Sequence, residues 1–179
     1  MSKERFELDH MNVAEQIAEL LSTQDRICAT FFSIANHQDW QPKPAEWSFR
    51  YIAAHLAQVE LDCHLRRMFE ISAGENPHYG YYTNAGWDFS SYGIQDSIST
   101  WRERRNEMVI TLRRLDEYQL AQTGIHETFG AITPVQIVRL ALDHDLEHEA
   151  HLDHMMKLFK AGKGLYAYPG TVIKPEPKV

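Results

Sequence analysis

The segment Leu142-Asp143-His144-Asp145-Leu146-Glu147-His148-Glu149-Ala150-His151-Leu152-Asp153-His154 places imidazoles where a helix would ordinarily place leucines. At about 100° per residue, His148 falls about 40° from His144 and His151 about 20° to its other side, so three rings share one narrow stripe. Ile137, Leu140, Ala141 and Met155 lie on the same stripe. An apolar stripe turns toward a core and the rings turn with it, leaving Asp143, Asp145, Glu149 and Asp153 for the flanks and back. Rings so placed suit a metal ion, and two ligands at i and i+4 are not enough for one: the fold has to bring a further donor to them.

Three other segments have helical periodicity. The first runs from about Asp9 to Asn36, with Val13, Ile17, Leu20, Ile27, Phe31 and Ile34 on one face, and Pro42 and Pro44 close the connection after it. The second begins behind Ser48, an N-cap, and continues through Ile52, His55, Leu56, Val59, Cys63 and Phe69 to Gly74. The third spans about Asp96 to Gln122 and carries Ile98, Trp101, Met108, Leu112 and Leu115. The histidine-bearing helix opens at Thr133-Pro134, a cap followed by a first-turn proline, and reaches about Lys160 before Gly162 and Gly164. No strand pattern and no repeat accompanies them. The expected fold is all-α, a four-helix bundle in a single domain over residues 1–179, with the bundle at about 9–160 and a C-terminal tail at 161–179. That tail, with Pro169, Pro175 and Pro177, is either draped over the bundle or disordered.

Between the second and third helices lies a long segment rich in Gly, Asn, Ser and aromatic residues, from Ala73 to Ile94. Loops of this length in compact domains are often functional, and its rings either pack over a bundle end or line a pocket. Tyr51, Tyr81, Tyr82 and Trp87 are the candidates for binding a cofactor. Gly124 to Ile132 reads as a second loop.

The composition removes several classes of function. With 179 residues, 44% of them hydrophobic, the chain can bury a core without disulfides. The net charge of −7 argues against nucleic acid. Arg102, Arg104, Arg105, Arg113 and Arg114 alternate with Glu103, Glu107 and Asp116 and read as a solvated face. No apolar run approaches the roughly 18–20 residues that cross a bilayer, and the start has no signal-peptide apolar segment. Cys28 and Cys63 read as buried thiols of a reducing cytoplasm, which is the expected location.

His55 is the best third donor. It shares a face with Ser48, Ile52, Val59 and Asp62, all within about 60° of it, so it points inward. Beside His144 and His148 it would give three neutral imidazoles on one face of a divalent ion, with other positions left for water or substrate. Asp62 accepts the outer N–H of a ligand ring or pairs with Arg66, the salt bridge being preferred. His151 is a fourth ligand, a supporting group or a proton shuttle; Glu147 is a base if it turns inward; His154 belongs to the rim. His10, His37, His64, His78 and His126 are assigned to surface or loops, with His126 able to approach the bundle mouth.

Glu46-Trp47-Ser48, then His55-Leu56 with Glu60 following, then Phe129-Gly130-Ala131-Ile132-Thr133-Pro134 leading into His144-x-x-x-His148, resemble the DinB-like (YfiT-like) metal-binding four-helix bundles. The likeness covers about Asp9 to Lys160. It implies a three-histidine site on His55, His144 and His148, holding nickel, zinc, iron or manganese. It also implies a metal-dependent transferase or isomerase chemistry with a low-molecular-weight thiol such as bacillithiol or mycothiol. One departure is His151, where the family often has glutamine.

The function expected is therefore a divalent-metal-dependent transfer of a thiol to a small molecule, the only partner implied, with homodimerisation left open. Competing readings are a metal-dependent hydrolase and a non-catalytic, stress-linked metal-binding bundle. A di-iron or hemerythrin-like bundle needs Glu-x-x-His or His-x-x-x-Glu spacing on more than one core helix, for which Glu7-x-x-His10, at the extreme start, is the one candidate.

Overall fold

The computed structural model describes residues 11–84 and 86–166. Helix α1, Val13–Ser33, starts at Asn12, whose side chain accepts the Glu15 N–H while the Glu15 carboxylate accepts the Asn12 N–H, a capping box. It stops three residues before Asn36, because Ile34 leaves the helical region and one turn of 3-10 helix, Ala35–His37, follows. Asp9, His10, Glu7 and the proline-bearing tail lie outside the described residues.

Helix α2 is continuous over residues 49–72. Ser48 caps it through the Tyr51 N–H, and Gly74, at φ 76°, ends it as expected. Its middle, Glu60–Leu65, is wound as π-helix between the α-helical stretches Phe49–Val59 and Arg66–Ser72. On a regular helix nine residues would set His64 about 180° from His55, facing away. The wider π turns carry His64 back toward the interior, and both rings are buried.

Helix α3, Ile94–Arg114, is shorter than its apolar spacing suggests. Leu115 is extended, and Asp116 with Gln119 forms a capping box that starts a separate short helix, α4, Glu117–Leu120. Helix α5, Pro134–Lys160, begins at the expected Thr133 cap, reinforced by Gln136. The helices α1, α2, α3 and α5 make a four-helix bundle in which α1 packs mainly on α5 and the first half of α2 on α3.

The connections hold short strands, too short for an alternating pattern to show. β1, Trp40–Gln41, pairs antiparallel with β5, Leu165–Tyr166, so the start of the tail is tied to the bundle. β2, His78–Tyr79, lies parallel to β3, Gly124–His126, which pairs antiparallel with β4, Gly130–Ile132. Gly124 to Ile132 is thus a hairpin.

The core has two apolar halves. One gathers Phe31, Trp40, Phe49, Ile52, Trp101 and Leu152; the other Leu20, Met68, Met108, Ile137 and Leu142. Each bundle helix contributes to both, and at the crossover each carries buried polar groups: Thr23 and Gln24 on α1, His55, Glu60 and His64 on α2, Arg105 on α3, Asp145 and His148 on α5. This polar belt corrects three expectations. Arg105 is not on a solvated face, His64 is not on the surface and Asp145 is not on the flank: all three are buried. Arg102 and Arg104 do lie outward, paired with Asp25 and Glu107. Both cysteines are free and buried, which pushes their thiols up to about 11. No helix among the described residues is long and apolar enough to cross a membrane.

Candidate metal centre

Helices α2 and α5 bring three imidazole nitrogens to one point in the belt. His55 Nε2 lies 3.0 Å from His144 Nε2, and His148 Nε2 lies 3.1 Å from the same atom. One ligand nitrogen from each ring falls within 4.8 Å of the others. His55 and His148 are buried, while the His144 side chain keeps 21% of its exposure and marks the open side of the cluster. Burial pushes all three rings toward the neutral form. Burial lowers His55 to about 4, against a hydrogen bond accepted by Asn84, and His144 and His148 fall well below the ordinary histidine value, helped by repulsion from neighbouring histidines. Neutral imidazole is the form that ligates.

The wall behind the rings is aromatic. Trp47, just before the α2 cap, packs at 4.7 Å from His55 and stacks on His148 at 5.7 Å with planes 11° apart. Tyr51 lies 4.6 Å from Trp47 and meets the edge of Phe89 at 4.8 Å. This wall keeps water from one side of the cluster and fixes ring orientation. On the other side of His55, Nδ1 lies 3.1 Å from Oδ1 and 3.0 Å from Nδ2 of buried Asn84.

Next to the rings sits an ionic knot. Arg105 donates to both Glu60 oxygens, Nε to Oε1 at 2.7 Å and Nη2 to Oε2 at 2.9 Å, and its Nη1 donates to Asp145 Oδ2 at 2.7 Å. Its Nη1 also approaches the Leu20 carbonyl at 3.5 Å, so a single side chain from α3 touches α1, α2 and α5. His64 Nδ1 donates to Glu60 Oε2 at 3.1 Å, and the His64 ring meets His144 edge-on at 5.6 Å. Burial alone would raise the Glu60 carboxyl, but Arg105 and His64 outweigh it and hold it near 2. Asp145 keeps only one side of Arg105, and there burial prevails, raising it to about 6.

Asp145 Oδ1 is buried without a hydrogen-bond partner and lies 3.9 Å from His144 Nδ1. Three Nε2 atoms turned to one point, with an orphaned carboxylate oxygen on the outer side of the middle ring, fit a divalent cation. With an ion on Nε2 the His144 ring proton would sit on Nδ1, the side that faces this oxygen at 3.9 Å.

The remaining candidates are spread more widely. Asp62 fills neither expected role: it accepts from Gln58 at 2.5 Å and from the Tyr82 hydroxyl at 3.5 Å, while Arg66 pairs with Glu70 at 2.7 Å. The i,i+4 pairing of Arg66 with Glu70 keeps both on the outer surface of α2, whereas Asp62 in the π turn faces the aromatic segment. His151 is half-buried, with its ring 6.4 Å from both His148 and Trp47, outside the converging group but beside it; burial and His154 lower its pKa. Glu147 and His154 are exposed. Tyr51 belongs to the wall, whereas Tyr81 and Trp87 are exposed. His126 is also a correction: it is buried in β3, accepts the Thr128 N–H and packs against Phe129 at 4.7 Å. His37 meets the Tyr166 hydroxyl at 2.6 Å, and His78 is exposed.

Arg105 and Asp145 had a signal in the sequence. Trp101, Arg105, Met108 and Leu112 follow helical spacing, as do Leu142, Asp145, His148 and Leu152, so each charge interrupts an apolar stripe. Asn84 had none.

A family model described as the DinB superfamily matches residues 35–152. Among solved structures, YfiT from Bacillus subtilis, described as "a probable metal-dependent hydrolase with an unusual four-helix bundle topology", superposes with a TM-score of 0.65 at 18% identity, over 91% of each chain. A mycothiol-dependent maleylpyruvate isomerase superposes with a TM-score of 0.63 at 9% identity, over 81% of this chain and 62% of its own. The DinB-like protein YjoA from Bacillus subtilis gives 0.53 at 17% identity, over 86% of this chain and 95% of its own. At these identities the likeness shows the fold. No curated protein matches the sequence.

Proposed function

This chain belongs to the DinB superfamily, and on that premise we propose that it is a divalent-metal-dependent enzyme that transfers a low-molecular-weight thiol to an electrophilic small molecule. The observation that carries the proposal is the convergence of three neutral, desolvated Nε2 atoms within 4.8 Å. His55, His144 and His148 hold the ion; nickel, zinc, iron and manganese all accept imidazole nitrogen. When bound, the ion supplies the Lewis acidity that lowers the pKa of a thiol or water set beside it.

The chain's own groups do the rest. Trp47, Tyr51 and Phe89 exclude water behind the rings, so polar contacts at the open side act in a low-dielectric setting. His151 stands beside the cluster and takes the proton released there, in preference to exposed Glu147. Tyr81, Tyr82 and Trp87 are the candidates for contact with the body of the thiol or substrate. The free, buried cysteines accord with a reducing cytoplasm. A solved structure with this fold is a mycothiol-dependent isomerase, which supports a thiol co-substrate, and YfiT supports hydrolysis as the second reading. Among the described residues the converging donors include no carboxylate; Glu7 and His10, the motif of the di-iron reading, lie outside those residues.

The test uses full-length protein purified without a metal-affinity tag, incubated with bacillithiol, mycothiol or glutathione and a chlorinated or epoxide electrophile. Conjugation that stops with chelator and returns with added ion is expected. Ester or amide cleavage without thiol consumption would replace the proposal by the hydrolase reading, and tight metal binding with neither activity by the non-catalytic one. His151→Gln should retain the ion and lose on the order of 10²-fold in rate, the scale of a general acid–base group.

A further inference from the structure

The segment 73–93 is mostly exposed, and among its described residues only Asn84 and Phe89 are buried. Both reach the histidine cluster. Phe89 does so through Tyr51 and Trp47, each ring against the next, and Asn84 does so directly through His55 Nδ1. A polar side chain 4% exposed in a segment of exposed neighbours has given up its water for this one contact.

The contact has two forms. Asn84 Oδ1 and Nδ2 stand at 3.1 and 3.0 Å from the same ring nitrogen, and only one of them can bond to it at a time. If Nδ1 carries the proton, Oδ1 accepts it and the lone pair is on Nε2, facing His144 Nε2 at 3.0 Å. If Nδ1 carries the lone pair, Nδ2 donates to it and the proton sits on Nε2, facing the other rings. Only the first form can ligate through Nε2. Since His55 is buried, no solvent competes for Nδ1, and the amide beside it decides which form is held.

We propose that Asn84 is the positioning residue for His55, accepting its Nδ1–H, and that docking of the segment 76–92 is thereby linked to ion binding at Nε2. The linkage is reciprocal: an ion on Nε2 keeps the proton on Nδ1, which strengthens the bond to Asn84 and holds the segment down, and a docked segment holds His55 in the ligating tautomer. The segment also carries Tyr81, Tyr82 and Trp87, the candidates for substrate contact, so their placement is linked to the ion as well. This inference rests on the metal reading of the cluster.

The experiment compares the untagged wild-type chain with Asn84→Ala and Asn84→Asp, titrated with Ni²⁺ and Zn²⁺ against a chromophoric chelator, with hydrogen exchange of residues 76–92 followed with and without ion. Asn84→Ala should bind on the order of 10- to 100-fold more weakly, the usual cost of losing the outer partner of a ligand histidine. In that variant the ion should no longer slow exchange in 76–92, as it does in wild type. Asn84→Asp, which can only accept from Nδ1–H, should bind at least as tightly as wild type. Wild-type affinity in Asn84→Ala overturns the proposal, as does weakened binding in Asn84→Asp or exchange in wild type that ignores the ion. If Asn84→Ala does not fold, Asn84→Asp alone decides between acceptance and donation. A wild-type chain that binds neither ion overturns the metal reading itself.

Discussion

The histidine cluster and the Arg105 knot occupy the same buried belt, a ring's width apart, and they are built in opposite ways. In the knot, every nitrogen of a buried cation has a carboxylate or carbonyl to donate to, and the contacts span all four bundle helices. In the cluster, three neutral rings face one another with the same atom, Nε2, and one side remains partly open through His144. The knot satisfies its buried cation, with Asp145 Oδ1 left over on the side of the rings, and holds helices in register. The cluster is completed by something that accepts lone pairs. A buried ionic group is thus no sign of a site by itself: the contrast turns on whether donors and acceptors inside the group cancel.

The contrast can be broken most forcefully at Arg105. Arg105→Met leaves Glu60 and Asp145 buried without their counter-charge, and the urea unfolding free energy should fall by about 3–5 kcal/mol, the cost of orphaning a buried ion pair. A loss below about 1 kcal/mol would mean that the knot does not lock the bundle. The acid limb of stability gives a smaller effect. Glu60 is held near 2, below its ordinary value of 4.5, so its contribution is complete above pH 4.5 and is lost as pH falls from 4.5 toward 2. Over that window it adds a slope of at most about 1.4 kcal/mol per pH unit, which Glu60→Gln should remove. An acid limb of equal steepness in that variant would place the titrating group elsewhere.

The bundle was legible because its information is local. Ser48, Gly74 and Thr133-Pro134 mark ends that the backbone must honour, and the apolar stripes name the faces. The convergence of His55 with His144 and His148 was legible for the same reason, since facing stripes on two helices of one bundle have few places to meet. What stayed hidden depends on departures from regular winding or on partners remote in sequence. The π turn at Glu60–Leu65 rotates His64 inward against the arithmetic of 100° per residue. Asp116 ends a stripe that Leu115 would have continued. Arg105 looked like its neighbours Arg102 and Arg104 until Glu60 and Asp145 were beside it. Asn84 sits in a segment without periodicity, and nothing in its neighbours shows that it turns inward.

The central claim is that His55, His144 and His148 form one metal site. Elemental analysis after equilibration with Ni²⁺ or Zn²⁺ and removal of loose ion should give about one ion per chain in the wild type. It should give a small fraction of that in each of His55→Ala, His144→Ala and His148→Ala, with the melting temperature raised by ion only in the wild type. Full metal content in any one of the three variants, all still folded, would contradict the account.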